Sequence, residues 1–463
     1  MKKTFLYLGL FALINGCKSP QPTDPTLPPL RVAENGRQIV TADGKPFFWL
    51  GDTGWLLFTK LTREEAEYYL ETRRQQGFNL VQAMLIHDLK VGVNIYGDSS
   101  VNNKNVAEPV VTEGDDFDNP QQYDYWDHVS YVIDLAAQKG IYIGLVPVWG
   151  SNVKAGYVNS QQAETYSKFL AERFGSKSNV FWMNGGDLRG SDSIEVWKTI
   201  GRTLKANAPS RLVTFHPRGR SSSSEWFHNE PWLDFNMFQS GHKSYLQDTS
   251  AADHRFGEDN WKYVRMDMER QPTKPTLDGE PSYEGIPHGL HDTTQPYWSA
   301  NDIRRYAYWS VLEGGAGFTY GHNAVMQFFN PGDADVSYGP RLPWKEALTE
   351  QGAEQMKYVK QLALMNPGIL TADESIVANQ GEKYDRLAAC RGEDFIYVYT
   401  YNGRPIEVRP SKIKGEKVDA SWFNPRNGEL KSIGTFDNTS NQIYRPEGEQ
   451  SNGNDWVLIL KSK

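Results

Sequence analysis

With 463 residues, the chain has room for a barrel of roughly 250 to 350 residues and one smaller domain of about 100. Its 39% hydrophobic and 23% charged residues are those of an ordinary soluble globular protein. The net charge of −8, with no block of Lys or Arg, excludes nucleic acid as a partner. Aromatic residues reach 13%, with 14 Trp and 24 Tyr. Flat rings stack on sugar faces, although a large aromatic core accounts for any single ring equally well.

The chain opens with Lys2 and Lys3, then an apolar run over residues 5–14, too short to cross a bilayer but of signal-peptide length. Ile14-Asn-Gly-Cys17 resembles a bacterial lipobox. Residues 1–16 therefore read as a lipoprotein signal peptide and Cys17 as the lipidation site; the alternative is an uncleaved anchor with an incidental Cys. Residues 17–30 hold five prolines and no periodicity, as an extended tether does. Of the two Cys, a lipidated Cys17 leaves Cys390 without a disulfide partner. No acidic cluster follows Cys17, so the expectation is a cell-envelope protein, held to the membrane only by lipid and facing the periplasm.

Residues 31–45 carry turns at Asn35-Gly36 and Asp43-Gly44 and read as a hairpin closing a barrel floor. Strand one is predicted over 47–52, with Thr53-Gly-Trp55 as its C-terminal loop. Thr62 and Glu65 form a capping box for a helix to about residue 76, ended by Gly77. Strand two, 79–86, delivers His87 and Asp88. The stretch 90–125 lacks periodicity and reads as a long site-shaping insert. A helix over 126–138 and strand three over 141–148 follow, the strand delivering Trp149. A helix at 163–173 leads to strand four, 179–183, which ends on Asn184-Gly-Gly-Asp187. The pattern continues with a helix at 194–208, strand five at 211–216, strand six at 233–239 ending in Ser240-Gly-His242, and strand seven at 274–280. A helix at 302–313, strand eight at 317–322 and one long helix at 344–365 complete it.

Eight strand–helix alternations, with no Gly-rich phosphate fingerprint after strand one, predict an α/β fold: a (β/α)8 TIM barrel over residues 31–368. Beyond it, runs at 395–401, 417–423 and 455–461, separated by Asn402-Gly403 and Asn427-Gly428, predict a C-terminal antiparallel β-sandwich over 369–463.

In such a barrel, residues just past the strand C-termini share one pocket. Two carboxylate motifs stand there: Phe181-Trp-Met-Asn-Gly-Gly-Asp187 and Thr276-Leu-Asp-Gly-Glu280-Pro-Ser-Tyr-Glu284-Gly285. Two carboxylates among aromatics are the minimum for cleaving a glycosidic bond. Asp187 is placed to protonate a leaving oxygen, though an Asp there also caps the next helix. For its partner, Glu280 ends strand seven and is held more rigidly, while Glu284 lies in the loop beyond. Asp278 reads as a buried structural carboxylate. The other strand ends present Asp52, Trp55, His87, Trp149, Asn184, His216, Gln239, His242 and His322 as candidate substrate contacts. Each His alone is more often a core or rim residue than a catalyst. Short His ligand repeats are absent, so no metal site and no cofactor are expected. Arg189, Arg218 and Arg220 near the same rim suit a substrate carboxylate, or are surface arginines.

Gly51-Asp-Thr-Gly-Trp55, Trp182-Met-Asn-Gly-Gly-Asp187 and Asp278-Gly-Glu-Pro-Ser-Tyr-Glu-Gly285 together closely resemble glycoside hydrolase family 140, over nearly the whole chain after the tether. The resemblance implies a retaining, exo-acting apiosidase that cleaves apiose from galacturonic acid in the pectin rhamnogalacturonan II. It matches Asp187 to the acid/base and Glu284 to the nucleophile, with Glu280 as runner-up. The wider clan of such barrels carries Glu after strand four, and the shorter Asp here puts the retaining geometry in question. The C-terminal domain carries a collagen-binding label in such chains; a role bracing the barrel is the expectation instead. A hydrolase of another pectic or hemicellulosic sugar, and a non-catalytic carbohydrate-binding lipoprotein, are the alternatives.

Overall fold

The computed structural model describes residues 27–248, 255–366 and 368–463; the signal peptide, Cys17 and most of the tether lie outside them. Eight parallel strands form the barrel: β1 (Trp49–Thr53), β2 (Leu80–Met84), β3 (Tyr142–Val146), β4 (Val180–Leu188), β5 (Val213–Pro217), β6 (Asn236–Gln239), β7 (Thr276–Asp278) and β8 (Gly317–Tyr320). Their order is β5-β4-β3-β2-β1-β8-β7-β6, and the short strand Ser221–Ser222 runs antiparallel along β6. The ring closes between β5 and β6 without a ladder: the Asp234 amide donates to the Val213 carbonyl at 2.9 Å, and Thr214 Oγ1 donates to the Phe235 carbonyl at 2.8 Å. Each predicted strand is present, shifted by no more than a few residues.

Alternate strand residues fill the barrel interior. The Trp49 ring packs edge-on against Phe181 at 4.8 Å and Phe235 at 5.6 Å, while its Nε1 donates to Thr319 Oγ1 at 2.9 Å. Above this layer, Gln82 Nε2 donates to Thr53 Oγ1 and to the Gly279 carbonyl. The floor is covered by the hairpin of Leu30–Val32 and Ile39–Thr41, so the tether ends just before Leu30.

Outside the barrel stand α1 (Arg63–Gln75), α2 (Tyr125–Gln138), α3 (Ser160–Phe174), α4 (Ile194–Asn207), α5 (Trp261–Met268), α6 (Ala300–Leu312) and α7 (Gln351–Met365). The capping box of α1 is complete: Thr62 accepts from the Glu65 amide, and Glu65 accepts from the Thr62 amide. The single helix expected over 344–365 is instead two, Trp344–Ala347 and α7. At the break, the Leu348 carbonyl is taken by Gln76 Nε2 at 2.7 Å and by the Arg73 guanidinium at 3.1 Å. Glu350 turns to ψ 149°, and the chain restarts with the Gly352 amide aimed at Glu284. Hydropathy alone carries no trace of those tertiary bonds.

Beyond the barrel, six antiparallel strands form one sheet, in the order Thr371–Ala372, Leu387–Arg391, Phe395–Thr400, Trp456–Ser462, Lys417–Phe423, Leu430–Asp437. A two-stranded sheet, Ile406–Val408 with Gln442–Tyr444, faces it across a core of Val398, Trp422, Trp456 and Leu458. The sheet's other face lies on α6: Tyr308 stacks on Tyr399 at 4.9 Å with 7° between planes, and the buried Arg304 pairs with Asp455 at 2.8 Å. That contact braces the barrel beneath α6.

Candidate active site

β4 runs past its predicted end through a bulge between Gly185 and Leu188. Gly185 and Gly186 take φ of 95° and 116°, in the left-handed region. A Cβ on Gly186 would lie 2.7 Å from the Trp149 ring, and one on Gly185 would lie 2.5 Å from the His216 carbonyl oxygen. Only glycine fits at both. Asp187 follows at φ 55°, a conformation costing on the order of 1 kcal/mol for a residue with a Cβ. The bulge turns its carboxyl into the cavity at the C-terminal mouth of the barrel.

Glu280 stands two residues beyond β7, its carbonyl accepting from the Gly241 amide at 3.2 Å. His242 Nε2 lies 3.1 Å from its Oε1, and His216 Nε2 lies 3.0 Å from its Oε2. The Tyr283 amide donates to His242 Nδ1 at 3.4 Å, which leaves Nε2 as the protonated nitrogen facing Glu280. One imidazole therefore stands at each carboxylate oxygen.

Asp187 and Glu280 share a cavity of about 290 Å³. Trp55 and Trp149 meet at 5.1 Å to form one wall, with the His216 ring packed against both. His87 stands at the mouth, and the Oε1 of Gln239 has no hydrogen-bond partner among the described residues. Arg218, Arg220 and Lys243 supply positive charge along the rim.

The two carboxyls are driven apart in acidity. Asp187 opens onto the cavity and is exposed to it, with the cavity walls crowding the carboxyl. The resulting desolvation, reinforced by the charge of Glu280, raises its pKa to about 6. Burial pushes Glu280 the same way, yet the two histidines outweigh it and bring its pKa down to about 2. Up to about pH 6 Asp187 holds a proton while Glu280 is ionised, which is the division of labour glycoside hydrolysis requires.

Ten of the residues singled out in the sequence meet here: Trp55, His87, Trp149, Asp187, His216, Arg218, Arg220, Gln239, His242 and Glu280. Asp52, Asn184, Glu284, His322 and Asp278 stand elsewhere. Asp52 is sealed beneath the barrel wall, paired with Arg73 Nε at 2.7 Å and accepting from the Tyr69 hydroxyl at 2.5 Å. Asn184 points outward and donates to the Trp197 carbonyl of α4 at 2.7 Å. Glu284 accepts from the Tyr320 hydroxyl at 2.6 Å and from the Gly352 amide at 3.2 Å, and it lines a separate cavity with His322. Burial raises its pKa to about 7 and lowers that of His322 to about 3. Asp278 is structural, accepting from Ser240 and Asn260.

Tyr283 and Tyr338 also face the cavity and were not singled out as site residues. Tyr283 lies between Glu280 and Glu284 in the motif beyond β7, which signals its place in the sequence. Tyr338 comes from the irregular loop after β8, where no periodicity announces it. Burial raises its pKa to about 12, helped by the charges of both Glu280 and Asp187. Among the described residues no group of three or more His, Cys, Asp or Glu is placed to hold a metal ion.

Residues 33–368 match the family model described as "Apiosidase-like, catalytic domain". Residues 371–461 match "Putative collagen-binding domain of a collagenase". A solved structure titled only a glycoside hydrolase is 46% identical, with 94% of this chain and 97% of that one covered and a TM-score of 0.87. Another, a glycoside hydrolase family 5 from Bacteroides vulgatus ATCC 8482, is 42% identical, with 94% of each chain covered and a TM-score of 0.86. Among curated proteins, none matches the chain. The match across the whole barrel makes this chain a member of the apiosidase-like catalytic-domain family, and a glycoside hydrolase.

Proposed function

We propose that the protein is an exo-acting, retaining apiosidase that hydrolyses the bond between apiose and galacturonic acid in rhamnogalacturonan II, with Asp187 as acid/base and Glu280, rather than Glu284, as nucleophile. The observation that carries this reading is the pairing of Asp187 and Glu280 in one cavity with opposite shifts in acidity. Asp187 donates its proton to the glycosidic oxygen as Glu280 attacks the anomeric carbon, and the bond to the leaving uronate breaks. Asp187, now ionised, takes a proton from water, which attacks the glycosyl ester and frees Glu280.

The ionised state of Glu280 supports the retaining reading. A carboxylate held ionised beside the anomeric carbon can serve as the nucleophile and as the leaving group of the second step. The small cavity favours a terminal sugar over an internal one. Its rim of Arg218, Arg220 and Lys243 suits a leaving group that carries a carboxylate, on a chain whose overall charge is −8. Lipid attachment at Cys17 with the barrel facing the periplasm completes the proposal.

The test is incubation with rhamnogalacturonan II stripped of its side-chain sugars, followed by chromatography of what is released. Free apiose is expected. Release of a different sugar would transfer the same chemistry to another substrate. With apiosyl termini exposed and no sugar released, a carbohydrate-binding role would replace the catalytic one.

A further inference from the structure

Next to the catalytic cavity lies a smaller hollow of about 60 Å³, ringed by Arg189, Arg218, Arg220 and Arg255 with Trp226 as one wall. Arg218 and Arg220 line both spaces, whereas Arg189 and Arg255 line only the small one. The hollow has room for roughly two waters, or one carboxylate.

Its charge is not balanced. Arg220 pairs with Asp248 at 2.5 Å. Among the described residues the one carboxylate in the wall is Glu225, which accepts from the Ser222 amide at 3.0 Å. Arg189, Arg218 and Arg255 form no ion pair with another described residue. Among the described residues, four arginines and a single carboxylate thus line a space sized for one anionic group. A planar carboxylate is the group an arginine fork holds best, through two parallel hydrogen bonds.

We infer that this hollow is a second anion subsite, which receives the free carboxylate of the uronic acid adjacent, along the backbone, to the one bearing the cleaved sugar. The inference rests on the reading of the catalytic cavity as a uronate-linked glycosidase site. In that arrangement Arg218 and Arg220 attend the leaving uronate, and Arg189 and Arg255 reach the next. The enzyme then selects branches carried on consecutive, unesterified uronates, and methyl esterification of the neighbour removes the charge the hollow recognises.

The test compares kcat/KM on apiosyl monogalacturonide, apiosyl trigalacturonide and the methyl ester of the latter. One charge-assisted pairing predicts a preference of about tenfold or more for the unesterified trimer. Arg189→Ala with Arg255→Ala should pull the trimer-to-monomer ratio toward one, and the double Lys variant should restore part of it. Both side chains are at least partly exposed, so the fold does not depend on them. Binding of free trigalacturonate to the wild-type protein, followed by calorimetry, should be lost on esterification and in the double Ala variant. If both apiosides are cleaved with a ratio near one, or the ratio survives the double Ala change, the subsite is refuted and the catalytic reading stands. If no apioside is cleaved but trigalacturonate binds in an Arg189- and Arg255-dependent manner, the subsite stands and the catalytic reading falls.

Discussion

Changing Glu280 and Glu284 separately to Gln distinguishes two carboxylates only four residues apart. Glu280→Gln keeps the size of the side chain and one acceptor for the two imidazoles, but removes the charge proposed to attack the sugar. Loss of a nucleophile costs at least about ten-thousand-fold in kcat, or roughly 5.5 kcal/mol of barrel-mouth transition-state stabilisation. Glu284→Gln is different in kind. Its partners are the Tyr320 hydroxyl, which can turn to accept, and the Gly352 amide at the start of α7, which the Gln carbonyl still satisfies. Burial already raises the pKa of Glu284 to about 7, so Gln resembles the protonated form present at neutral pH. The cost is about 1 kcal/mol of stability, and kcat/KM should stay within about tenfold of wild type. Thermal unfolding and sugar release, measured on both variants, check the pair. A folded but inactive Glu284→Gln protein beside an active Glu280→Gln protein would refute the assignment.

Three further outcomes follow from the same geometry. Because Asp187 must carry a proton to act as acid, kcat/KM should fall as pH rises through about 6; in Asp187→Asn that limb disappears, and activity survives best on substrates with a good leaving group, as a pH–rate profile on natural and aryl substrates will show. His242→Ala removes one of the two groups that hold Glu280 ionised while leaving its burial in place, so the Glu280 pKa rises and an acid limb should move up into the measurable range. Arg304→Ala strands Asp455 between barrel and sandwich and should cost about 3–5 kcal/mol, seen as a lower Tm with kcat little changed at low temperature.

The barrel was legible because each of its strands is a short apolar run bounded by a Gly, Pro or capping signal, and those signals act locally. Thr62 and Glu65 cap α1 by themselves, whatever lies across the molecule. The break at Leu348 was not legible, because its cause is a carbonyl bonded from Gln76 and Arg73, some 270 residues away in the chain. The active-site candidates divide in the same manner. His216 and Gln239 end strands whose pleat aims them into the cavity, so strand position alone found them. Asp52 also ends a strand, yet the next turn of α1 carries Arg73 and Tyr69 to meet it on the outer side.

Glu280 and Glu284 show where spacing stops carrying information. Both lie beyond β7, both are buried, and either is a plausible reading of one motif. What separates them is which neighbours the fold supplies. Glu280 receives two imidazoles, from the ends of β5 and β6, and the facing Asp187; Glu284 receives a helix amide and a phenol from β8. The first environment stabilises a charge beside open space; in the second, burial outweighs the two donors and leaves the carboxyl partly protonated near neutral pH. A nucleophile requires the first. The strain at Asp187 points the same way, since a non-glycine residue held at positive φ after two glycines is an expensive end for a strand unless the carboxyl it delivers is needed in the cavity with Glu280.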